Sequence, residues 1–188
     1  MSSWPERWLN EPADVVADGD ELMVTAVAGS DAWRHTSYGF VHDSAHALLT
    51  PLAIGEAIEV DFRADFTGQF DQAGLMIRAD AEHWLKAGCE FADGTLNLGA
   101  VVTLGKSDWS TGAVDDWNGR RITIRASRAV DSITIRAAVD AGAFRLVRVA
   151  PFVDGAAEAG PYLCAPTRAG FRVHFLDCRR GPADAALH

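Results

Sequence analysis

An all-β sandwich or barrel is the fold class this sequence predicts, and three observations carry it. The dominant hydrophobic period is two residues rather than 3.6. Turn dipeptides interrupt the periodic runs at short intervals: Asp18-Gly19, Asp93-Gly94, Asn118-Gly119 and Ala141-Gly142. About a dozen short strand patterns follow one another with no convincing helical pattern between them.

Each run supports this in turn. In GEAIEVDFRADF, residues 55–66, Ile58, Val60 and Phe62 alternate with Glu59, Asp61 and Arg63. Such alternation marks a strand with one face buried. The run DQAGLMIRADAEHWLKAGCEF, residues 71–91, has the outline of two strands around a turn. Its period points Ala73, Leu75, Ile77, Leu85, Ala87, Cys89 and Phe91 inward. Gln72, Met76, Arg78, Trp84, Lys86 and Glu90 then share the other face, where Arg78 and Trp84 are placed to stack. RRITIRAS and DSITIRAAV repeat the alternation with Ile122, Ile124, Ile133 and Ile135. FRLVRVAPF and GFRVHFLD continue it, and their β-branched and aromatic residues suit a pleated surface.

Size and charge bound the rest. With 188 residues the chain fits one domain, 1–188, whose tail RRGPADAALH is expected to fray from about residue 179. The net charge of -9 speaks against a nucleic-acid backbone or an anionic membrane as partner. No stretch approaches the roughly 18 apolar residues of a membrane span, and the start has no secretory pattern. Cys89, Cys164 and Cys178 are odd in number and widely spaced, which favours reduced thiols over disulfides or zinc. These features lead to the expectation of a cytoplasmic protein with no metal and no cofactor.

Three apparent motifs dissolve on inspection. GAVVTLGKS, residues 99–107, has five residues between Gly99 and Gly105 where a phosphate loop has four, and no helix follows. His42 and His46 are four apart but lack a third ligand nearby, so a polar turn through Asp43 and Ser44 is expected. Glu59 and Asp61 share a face beside Arg63, as a solvated charge run does.

The outer face of residues 72–90 carries a different signal. An indole among an amide and opposite charges offers what a sugar ring needs, an apolar platform with hydrogen-bonding edges. Two aromatic-plus-polar clusters could join it: DAWRHTSYGF, with Arg34, Tyr38 and Phe40 on one side, and SDWS, with Asp108 and Trp109. The candidate ligand-binding residues are therefore Arg34, Tyr38, Gln72, Arg78, Trp84, Lys86, Glu90, Asp108 and Trp109. Stacking falls to Trp84, Trp109 and Tyr38. An ion pair of Lys86 with Glu90, serving stability alone, is the competing account of the same face.

WRHTSYGFVHDSAHAL, FDQAGLMIRADAEHWLKAGCEFADG and VVTLGKSDWS resemble a domain-of-unknown-function family of concanavalin A-like lectin/glucanase proteins. Its fungal members are called regulators of enolase. NEP near the start and GPYLCAPTRAGFRVHF near the end also fit it. The resemblance implies a jelly-roll sandwich of two antiparallel sheets and no settled activity. Its motif positions fall on Trp33, Arg34, Tyr38, Asp71, Gln72, Trp84, Lys86, Glu90, Ser107, Asp108 and Trp109.

Three functions are carried forward. The first is non-catalytic binding of a carbohydrate or similar polar small molecule. The second is glycan cleavage, with Glu90 as the best acid/base candidate and a requirement for a second carboxylate within about 10 Å. The third is a regulatory module with a protein partner, which predicts an exposed apolar patch or sheet edge.

Overall fold

Strands of period two need a second layer to cover their apolar side, and here two sheets cover each other. The computed structural model describes Trp4 and residues 7–187. One sheet has the order β1 (Asp14–Asp18), β2 (Glu21–Thr25), β16 (Arg172–Pro182), β7 (Glu56–Ala64), β12 (Ile122–Arg128), β13 (Ser132–Val139), β14 (Arg145–Pro151). The other runs β11 (Lys106–Ala113), β10 (Thr95–Leu104), β9 (His83–Ala92), β8 (Gln72–Arg78), β15 (Glu158–Cys164), β5 (His46–Ala47), with β6 (Thr50–Pro51) also on β15. Every ladder within these two sheets is antiparallel. A separate ribbon, β3 (Ala32–Arg34) with β4 (Val41–Asp43), completes a jelly-roll sandwich of concanavalin A-like type.

The core lies between the sheets and follows the predicted alternation. Ile58, Val60 and Phe62 from β7 and Ile122 and Ile124 from β12 meet Leu75, Ile77, Leu85 and Cys89 from β8 and β9. Burial alone pushes the Cys89 thiol far above its ordinary pKa, so it behaves as a small apolar side chain. The GKS stretch is not a phosphate loop: residues 95–104 are strand and Gly105 turns the chain into β11. β16 continues to Pro182, and Asp184 beyond it pairs with Arg125 and Arg136. The tail is thus held past residue 179, where fraying was expected, because these two arginines need a carboxylate.

A second apolar cluster corrects the picture of one oily and one polar face. Met76, Trp84, Val101, Tyr162 and Cys164 point away from the main core, yet Ala32, Ala45, Ala47 and Leu49 cover them. Parity assigned these residues to the right side of the sheet. The segment of residues 32–49 laid across that side removes part of it from water.

Candidate functional site

A row of glycines crosses the outer face of the β8–β9–β10 sheet and leaves that part of it bare. Gly74, Gly88 and Gly99 stand opposite one another on three neighbouring strands. A Cβ on Gly74 would lie 2.1 Å from the Ala87 carbonyl oxygen, and one on Gly88 equally close to that of Ala73. The strands approach too closely there for any side chain, so glycine is required on this row.

Functional side chains line the trough on both sides of this row. Gln72 and Glu90 are register partners across β8 and β9. On the far side of Gly88, Lys86 stands opposite Val101, and Val101 opposite Trp109. The ribbon β3–β4 adds a wall of rings: Trp33 meets Tyr38 edge-on at 5.6 Å, Tyr38 stacks on Phe40 at 5.2 Å, and Phe40 contacts His42 at 4.5 Å. Together with Asp31, Phe70 and Pro166 these residues enclose a cavity of about 510 Å³. That volume suits a small ligand. Tyr38 and Trp109 keep 58% and 39% of their surface exposed, so their rings are available to an incoming molecule.

The ribbon is held by polar contacts at its ends. Arg78 donates to both carboxylate oxygens of Asp43 at 2.8 Å, and Arg34 donates to Glu82 at 2.6 Å. The Ser107 hydroxyl accepts from the Arg34 amide at 2.9 Å. These contacts decide where four predicted site residues go. Arg34 and Arg78 anchor the wall rather than line the cavity, and Arg78 engages Asp43 instead of stacking on Trp84. Trp84 itself is only 1% exposed, packed in the second apolar cluster, and presents no face to a ligand. Asp108 points to the open edge, where Arg148 of β14 donates to it at 2.9 Å. Tyr38, Gln72, Lys86, Glu90 and Trp109 do converge in the cavity.

Asp31, Trp33, Phe40, His42 and Phe70 also line it and were not chosen from the sequence. Trp33 and Phe40 stood in the aromatic stretch already singled out. Asp31 and Phe70 lie outside the strands, where no period assigns a direction.

Electrostatics separate the floor residues. The Lys86 ammonium donates to Asp31 at 3.3 Å and not to Glu90. Burial works against the Lys86 charge, but Asp31, Cys164 and Glu90 outweigh it and raise its pKa. The Glu90 side chain has neither hydrogen bond nor ion pair among the described residues. Burial pushes its carboxyl up to about 7, opposed by Lys86 and reinforced by Asp31. Gln72 is 3% exposed and its Oε1 has no hydrogen-bond donor. A buried acceptor left unpaired costs about 1–3 kcal/mol, which a ligand donor would recover.

The other sequence candidates are structural. His46 is buried, its Nε2 accepting from the Val27 amide and its Nδ1 facing the Asn10 carbonyl, so it is a bridging core histidine. No group of three metal-ligating side chains exists among the described residues. Glu59 and Asp61 are not a solvated run. Asp61 is fully buried between Arg121 and Arg179, and Glu59 pairs with Arg125 and Arg179.

Comparison with known proteins places the fold and the family. A solved structure of a functionally unknown protein from Saccharomyces cerevisiae superposes with a TM-score of 0.90 at 34% identity, covering 95% of this chain and 97% of that one. A xylan β-1,4-xylosidase from Bacillus halodurans shares the fold at 12% identity, with a TM-score of 0.71 over 96% of this chain and 37% of that chain. "Regulation of enolase protein 1" of Saccharomyces cerevisiae is 37% identical over 183 residues, 96% of this chain and 92% of that protein. The family model described as "Protein of unknown function (DUF1349)" matches residues 8–182, and the chain belongs to that family.

Proposed function

We propose that this protein binds a carbohydrate, or a polar small molecule of similar size, in the trough without transforming it. One observation carries the reading: a cavity of about 510 Å³ combines available aromatic faces with a hydrogen-bonding floor that is not internally satisfied. A pyranose ring needs both, since its C–H face stacks on an aromatic and its hydroxyls both donate and accept. Trp109 and Tyr38 supply the rings, and Gln72, Lys86 and Glu90 the polar contacts.

The test is a panel of mono- and oligosaccharides in a thermal-shift screen, followed by calorimetry on hits. Trp109→Ala and Tyr38→Ala are expected to weaken binding at least tenfold while the protein stays folded. Absence of any hit, or hits indifferent to both substitutions, overturns the proposal.

A second reading draws on a specific observation. Asp31 shares the cavity with Glu90, which is the second carboxylate that glycan cleavage requires. Glu90 would hold the proton for a departing oxygen, with Asp31 oriented by Lys86. Release of reducing sugar that Glu90→Gln abolishes would favour cleavage over binding. A regulatory role, as the name of the yeast relative suggests for that protein, would draw on the exposed edge strand β1 with Val15 and Val16.

A further inference from the structure

Resting on the carbohydrate reading, we propose that the sugar carries a protonated amine, received at the end of the trough where Gln72 and Glu90 stand opposite each other. The argument begins with what that end offers. Its two register partners present oxygen acceptors that no donor among the described residues meets. Cross-strand partners hold their Cβ atoms about 5 Å apart. A single ammonium, with three N–H donors, can bond Glu90 and, with the Gln72 amide turned outward, its Oε1 as well; a hydroxyl has one hydrogen to give.

Charge points the same way. The lining holds one ammonium, Lys86, and two carboxyl groups, Asp31 and Glu90. Lys86 is committed to Asp31, so the Glu90 charge has no counter-ion of its own. The remaining titratable groups near Glu90 are His42 and Tyr38 on the ribbon and Tyr162 and Cys164 on β15. Burial raises the Tyr162 and Cys164 values further, so neither contributes charge near neutrality. The rings of Trp33, Tyr38, Phe40 and Trp109 line the same cavity, and an aromatic face presented to a cation attracts it through its negative quadrupole. An anionic sugar would meet the same oxygens with repulsion, whereas a neutral one would leave Glu90 holding its proton.

A linkage follows. Burial holds a proton on Glu90 up to about pH 7 in the empty site, and an ammonium beside it favours its loss. Binding of the amine therefore tightens as pH rises towards 7, by roughly tenfold between pH 5.5 and 7, where the amine itself stays charged.

Calorimetric titration of glucosamine, galactosamine and mannosamine, each against its parent hexose and N-acetyl form, tests this. The expected result is at least tenfold preference for a hexosamine, tightening from pH 5.5 to 7, with Glu90→Gln removing the preference and the pH dependence together. Gln72→Glu, which adds a second carboxylate opposite Glu90, is expected to increase the preference. Hexoses that bind as well as their amines, independently of pH, would overturn the amine assignment and leave the carbohydrate reading standing. No binding by any sugar would overturn that reading, and the amine assignment with it.

Discussion

On the outer face of the first sheet, Asp61 is fully buried and its Oδ2 receives both Arg121 and Arg179. Its Oδ1 lacks a hydrogen bond, but two guanidinium groups share its charge. Glu59 and Asp184 extend this lattice through Arg125 and Arg136. On the outer face of the second sheet, Glu90 is also largely out of water, and neither guanidinium nor ammonium bonds it. Both faces are rich in ionisable groups, and only the second holds a carboxyl without a cationic partner. A dense cluster of acids and arginines is therefore a poor guide to a binding site; an uncompensated carboxyl in a cavity is a better one.

Breaking each face should have different consequences. The largest loss is expected from Trp84→Ala, about 4 kcal/mol of unfolding free energy by urea titration, because it empties the second apolar cluster. A stable variant that had only lost ligand affinity would return Trp84 to the binding surface.

Asp61→Ala should cost about 3 kcal/mol, since it leaves two arginines facing each other without a carboxylate. Burial raises the Asp61 pKa, but hydrogen bonds from Arg179, Thr123 and Arg121 lower it more, so the net value is depressed. Its contribution is present above the ordinary carboxylate value of 3.8 and is lost as pH falls through the folded value. Stability of the wild type should thus fall more steeply in acid than that of Asp61→Ala.

Glu90 has the opposite sign. Its folded value is raised from 4.5 to about 7, so the folded state favours the protonated form. The contribution is full below pH 4.5 and is lost as pH rises to about 7. Glu90→Gln should match the wild type near pH 4 and exceed it by about 2 kcal/mol at pH 8, measured by urea unfolding at both values. Equal stabilities at both pH values would mean that Glu90 is solvated and that the two faces do not differ.

The smallest effect is reserved for Trp109→Ala. Its ring is partly exposed on an edge strand, so stability should change by no more than about 0.5 kcal/mol.

Much of this was legible in residues 71–91. Period two placed Leu75, Leu85 and Cys89 in the core and Gln72, Lys86 and Glu90 on one outer face, and the structure agrees. Parity tells which side of a sheet a residue takes, and not what lies on that side. Trp84 and Met76 are outward by parity and buried by Ala32, Ala45 and Ala47, which are distant in the chain. The Arg78–Asp43 pair and the place of Asp31 are likewise products of tertiary packing. Charge type was visible in the sequence. Charge pairing was not, so Lys86 was matched with Glu90 when its partner is Asp31.

Gly74, Gly88 and Gly99 leave a row without side chains across the trough, so nothing on that row has to swing aside before a ligand settles. The row itself loses no rotamer entropy on association, and the ordering cost falls on Glu90 and Gln72. The observed association rate is expected to rise linearly with ligand concentration, without the plateau that an opening step imposes. In that respect the floor is a mould already cast.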